Sequence, residues 1–133
     1  MTDLVAPAAT DAGFGVATVG DVWKTLCKSR DGADTLVTSG PFRLLRHPNY
    51  TGELLLWTAN AAVGLSAALA SGTLRASWPW LGGSALGAMG IGFVLMQAAT
   101  GLEAKHAEKH SGSDAYEEWL RGSWAGPTLA KNK

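Results

Sequence analysis

The sequence predicts an all-α, polytopic membrane protein built round a two-span transmembrane hairpin, with a partial helix before the hairpin and short cytosolic helices after it. Residues 54–74 and 78–100 contain no charged side chain, and each run reaches the roughly 20 apolar residues needed to cross a bilayer. Ten of the eleven Lys and Arg residues flank the two runs, and only Arg75 lies between them. By the bias of basic residues toward the cytoplasm, both flanks and both termini are expected to be cytosolic. A soluble helical pair would have to bury both runs on every face, more than a domain of this size supplies.

Residues 1–11 carry Asp3 and Asp11 but no basic segment, which argues against a secretory signal and is read as a disordered start. Residues 12–127 form one membrane domain in this reading, and 128–133 a tail. Ala12–Gly20 is apolar but too short to span alone. It continues into a helical, increasingly basic stretch through Lys24 and Lys28 that breaks at Asp31-Gly32. Cys27 is the single cysteine, so no internal disulfide is possible. Ser39-Gly40-Pro41 signals a turn, and Pro48 suits the first turn of a helix, where its missing N–H costs nothing. The first span therefore starts near Asn49 and ends near Ala70. Trp78 and Trp80 open the second at the depth where amphipathic rings settle. Within it, Gly83 and Gly87 would let a partner helix approach closely. Residues 102–110 and 114–121 follow as short polar helices separated by Ser111-Gly112-Ser113.

A hairpin returns the chain to the face it left, so the segment before the first span and the helices after the second converge there. Asn49, Glu53, Trp57, Asn60 and Gly64 recur at helical spacing and share a stripe. A carboxylate one turn inside an apolar span is costly, so Glu53 is expected to have a cationic or hydrogen-bonding partner from the loop or tail; a helix-start charge favoured by the macrodipole is the alternative. Arg46 and His47 precede the helix N-terminus, a natural anion site, though they equally suit lipid headgroup contacts. Glu103, His106 and His110 share one helical face, but without a second Glu-x2-His pair no metal is expected. Tyr116 and Trp119 belong to an amphipathic surface helix. No phosphate-binding glycine loop, Cys-x2-Cys pair or nucleophile elbow occurs, and no basic repeat points to nucleic acid.

The string Gly40-Pro41-Phe42-Arg43-Leu44-Leu45-Arg46-His47-Pro48-Asn49-Tyr50-Thr51-Gly52-Glu53, with Trp57 in the span after it, resembles the C-terminal domain of the steroid 5α-reductase-like (DUF1295) family. Leu102-Glu103, Lys109, Tyr116 and Arg121 resemble that family's ending. The superfamily also holds sterol reductases and isoprenylcysteine and phospholipid methyltransferases. The resemblance implies a cytosol-facing cofactor pocket, with Arg46, His47, Asn49, Tyr50 and Glu53 binding the cofactor and Glu103, His106 and Tyr116 closing over it. The implied activity is an NADPH-dependent reduction of a carbon–carbon double bond in a steroid-like or isoprenoid lipid, with the proton donor unassigned and the endoplasmic reticulum as the location in a eukaryote. Two alternatives stay open: methyl transfer from S-adenosylmethionine to a lipid or prenylated thiol, and a catalytically silent truncated membrane subunit. NADPH is favoured among these because Asn49 and Glu53 resemble the reductase pattern more than the methyltransferase one, and because the converging segments carry the cations Arg43, Arg46, Lys105, Lys109 and Arg121.

Overall fold

The computed structural model describes residues 2–129 and contains four helices: α1 (Thr2–Asp31), α2 (Pro48–Ala70), α3 (Leu74–His110) and α4 (Asp114–Gly122), with a 3₁₀ turn at Gly40–Arg43. No strand occurs among the described residues beyond one isolated bridge. The helices α2 and α3 are each long and apolar enough to cross a membrane. They form the expected hairpin. A Cβ placed on Gly64 would meet Leu81, and one on Gly92 would meet Leu54, so the two helices run antiparallel. The turn between them needs Gly72 at φ +67°, a conformation that costs other residues steric strain. At 1.5 Å per residue the apolar run of α3 ends at Thr100, and residues 101–110 project about 15 Å further, beyond the spanning part.

The first helix departs from expectation. Residues 2–11, read as disordered, form the opening turns of α1, which continues unbroken to Asp31. Pro7 is compatible because it lies near the helix start and removes a single backbone bond there. The partner of α1 is α2. A Cβ added to Gly13 would lie 2.6 Å from Leu56 N, and one on Gly20 would lie 3.0 Å from Asn49 N. Gly52 faces Ala17 and Gly13 in the same way. Small residues on both helices thus let the backbones nearly touch, the means by which helices associate in lipid. The pairing of 13 with 56 and of 20 with 49 makes α1 antiparallel to α2. Its Thr2 end therefore points away from the end that carries Arg46 and His47.

Along the helix axes, the Thr2 end of α1 and the helix α4 thus lie toward opposite ends of the bundle. The helix extends well beyond the apolar stretch 12–20 in both directions, but only α2 and α3 are long and apolar enough to cross a membrane among the described residues. Gly83 and Gly87, expected to receive a partner helix, meet nothing within 4 Å. Close approach inside the chain uses Gly13, Ala17 and Gly52 instead.

Candidate functional site

Pro48 biases the residue before it away from helical geometry, and His47 accordingly sits at φ −133°, ψ 65°, just outside α2. That backbone turns the imidazole inward, where it is almost fully buried. Glu103, on the projecting end of α3, reaches it: His47 Nε2 lies 2.7 Å from Glu103 Oε1 and donates to it in the Nε2–H tautomer. Arg46 Nη1 donates to the other carboxylate oxygen at 2.5 Å. The Arg46 and Glu103 side chains are 14% and 15% exposed, so their charges are shielded from water and must satisfy each other. Burial works to raise the Glu103 pKa, but the His47 hydrogen bond and the Arg46 charge outweigh it and hold the carboxyl below its usual range. One carboxylate thereby fixes two consecutive residues of the loop before α2.

The C-terminal segment closes over this arrangement. Leu45 and Trp124 form a short parallel bridge, in which Arg46 N donates to Trp124 O at 2.9 Å and Trp124 N to Leu44 O at 2.8 Å. Trp119 of α4, itself buried, donates its indole N–H to Phe42 O at 2.7 Å. Trp119→Phe is expected to lower unfolding stability by about 1 kcal/mol, the typical worth of one such bond, as measured by thermal melting. An unchanged melting temperature would show that α4 docks through apolar contact alone.

A cavity of about 150 Å³ opens beside the ion pair, lined by Lys24, Lys28, Thr35, Val37, Phe42, Arg46, His47, Asn49, Tyr50, Leu102 and His106. The His47 ring stacks between Tyr50, with centroids 5.8 Å apart, and His106, with centroids 6.5 Å apart. Burial, aided by the neighbouring His47, pushes the His106 pKa down to about 4, although Glu103 opposes the shift. His106 is therefore neutral at physiological pH. Two buried polar atoms here, Arg46 Nε and His106 Nδ1, have no hydrogen-bond partner.

The structure thus brings Arg46, His47, Asn49, Tyr50 and His106 to one cavity, with Glu103 behind it. Tyr116 is buried near Trp119, and burial together with the Glu103 charge raises its pKa. Glu53 stands apart. It is half-buried, does not line the cavity, and its carboxylate has no ion pair or hydrogen bond among the described residues. Among the described residues no loop or tail group answers it, and Arg46 turns instead to Glu103, which accepts from two donors at once. Of the cations counted toward a pocket, only Arg46 lines the cavity. Arg43, Lys105 and Arg121 are exposed, and Lys109 pairs with Asp34 at 3.1 Å. Lys24 and Lys28 take their place, and the only sequence signal for them was the basic end of the helix preceding the motif. Among the described residues no cluster of His, Cys, Asp and Glu is arranged to hold a metal.

Residues 5–76 match the family model described as Isoprenylcysteine carboxyl methyltransferase (ICMT) family. The match covers α1, the loop with Arg46 and His47, and α2, and stops before Glu103. The chain is also similar to the cobalt-zinc-cadmium resistance protein CzcN of Cupriavidus metallidurans, at 51% identity over 43 residues. Those residues are 32% of this chain and 20% of that protein, so the similarity spans about a fifth of the relative's length. No solved structure matches the chain.

Proposed function

The chain belongs to the isoprenylcysteine carboxyl methyltransferase family, and from that premise we propose that it is an integral membrane methyltransferase which binds S-adenosylmethionine at the His47 cavity and methylates a lipid-like acceptor. The expected NADPH-dependent reductase gives way to the alternative named beside it. The motif string belongs to a superfamily that holds both chemistries, and the matching family is on the methyltransferase side.

The cation set carries the choice. NADPH brings a pyrophosphate and a 2′-phosphate, whereas S-adenosylmethionine brings one carboxylate. The charge available at the cavity is small: Arg46 is already engaged by Glu103, which leaves Lys24, Lys28 and the unpartnered Arg46 Nε–H. That donor set suits a single carboxylate. The stacked rings of His47 and Tyr50 supply a flat apolar wall, and Asn49, buried at the start of α2, supplies an amide. S-adenosylmethionine would supply a methyl group on a sulfonium, the acceptor lone pair bonding to the methyl carbon as the carbon–sulfur bond breaks and S-adenosylhomocysteine leaves. The protein's tasks are to orient the two partners and keep water out. Glu103 holds Arg46 and His47 in place, Trp119 and Trp124 hold the loop that carries them, and neutral His106 offers an uncharged polar contact. The basic flanks favour a cytosolic position for this end of the bundle by the positive-inside bias.

The test is ligand-induced stabilisation of the detergent-solubilised protein. A ligand at a hundredfold excess over its Kd raises stability by about 2.7 kcal/mol. S-adenosylmethionine is expected to raise the melting temperature of the parent and not of His47→Ala. A shift with NADPH and none with S-adenosylmethionine would return the reductase reading to first place.

A further inference from the structure

Lys24 and Lys28 come from α1, one helical turn apart, and both line the cavity together with Leu102 and His106 of α3. Lys28 donates to Ala33 O at 2.8 Å, which leaves its remaining N–H groups available. Lys24 makes no hydrogen bond or ion pair among the described residues. Arg46 commits Nη1 to Glu103 but leaves Nε buried and unpartnered. No carboxylate lines the cavity, and Glu103 behind it is engaged by both Arg46 and His47. Two lysines and the Arg46 Nε–H therefore face a small cavity; the Arg46 charge is answered by Glu103, while neither lysine has an ion pair among the described residues. A buried donor without an acceptor costs free energy, and a bound anion recovers it.

We propose that Lys24, Lys28 and Arg46 Nε form a carboxylate subsite, which sets the end of the ligand that enters the cavity. The size agrees. A volume of about 150 Å³ lies below the 300–1,000 Å³ or so of sites that enclose whole ligands. It takes an amino-acid end group while the bulk of the molecule lies outside. Resting on the methyl-transfer reading above, the carboxylate has two sources: the methionine end of S-adenosylmethionine or the carboxyl of a prenylated cysteine acceptor. Because α1 brings the two lysines, ligand affinity depends on the α1–α2 packing and not on the motif loop alone.

Binding is measured by tryptophan fluorescence on the full chain in detergent, with two probe pairs that differ only in the carboxylate. The first pair is S-adenosylmethionine and its decarboxylated analogue. The second is S-prenyl-N-acetylcysteine and its methyl ester. One pair is expected to show about tenfold or greater preference for the carboxylate, the scale of one charge-assisted hydrogen bond. Lys24→Gln with Lys28→Gln is expected to erase that preference, and Lys24→Arg with Lys28→Arg to keep it. Discrimination in the first pair assigns the subsite to the cofactor, and in the second to the acceptor. The subsite is refuted if neither pair discriminates, or if discrimination survives the double Gln variant. Failure of S-adenosylmethionine to bind at all, with the prenylcysteine preference intact, would sink the methyl-transfer reading and leave the subsite standing.

Discussion

Glu103→Ala is expected to lower the unfolding free energy by on the order of 3 kcal/mol and to abolish ligand binding at the His47 cavity. The carboxylate accepts from Arg46 Nη1 and His47 Nε2, and both donors are largely shielded from solvent. Removing one member of a buried ion pair leaves the other charge desolvated without compensation, which costs about 3–5 kcal/mol when burial is complete; the lower end applies to side chains that retain some exposure. Glu103→Gln discriminates between mechanisms. The amide keeps one acceptor for His47 but presents N–H groups or a neutral oxygen to Arg46, so the fold survives better than the site. Thermal melting and S-adenosylmethionine titration of both variants check this. Parent-like stability in Glu103→Ala would show that the loop before α2 is held by the Trp124 bridge alone.

The second large effect is expected at Gly52. A side chain there would collide with the backbone of Ala17 and Gly13, and backbone cannot give way as a flexible side-chain tip can. Gly52→Leu is expected to cost on the order of 3 kcal/mol, the upper range for overpacking, and to separate α1 from α2. Lys24 and Lys28 would then leave the cavity, and trypsin would cut after them faster than in the parent. Gly87→Leu is the matched control, since nothing lies within 4 Å of a Cβ at that position. Equal protease resistance in the two variants would contradict the close antiparallel contact.

What could be read from the sequence divides along the range of the interactions. The hairpin was legible because charge-free runs of spanning length, separated by only a few residues around Arg75, are local facts. The convergence of the Arg46-His47 loop with the end of α3 followed from the hairpin. The choice of partners did not. Glu103 was placed near the pocket, yet its contact with Arg46 joins residues 57 positions apart, and nothing in the spacing says that it outcompetes Glu53 for that arginine. The length of α1 was missed because a span was sought in one unbroken apolar run, whereas Asp11 and Pro7 interrupt the run without ending the helix. Its contact face, Gly13, Ala17 and Gly20, reads as unremarkable small residues until Gly52 is set opposite. Lys24 and Lys28 entered the cavity by the same route.

The bridge between Leu45 and Trp124 sets an order on biosynthesis. During translation α1 and α2 are complete, and their glycines are free to pack, once residue 70 has been made. At that stage Arg46 and His47 have neither their carboxylate nor the backbone carbonyl that fixes the Arg46 amide. Glu103 and then Trp124 must still be synthesised. Helices α1 and α2 can therefore pack while the cavity lacks its α3 wall, and the partners of Arg46 and His47 are complete only after Trp124 has been made. A nascent chain held in the membrane thus exposes an inert bundle instead of a half-built site.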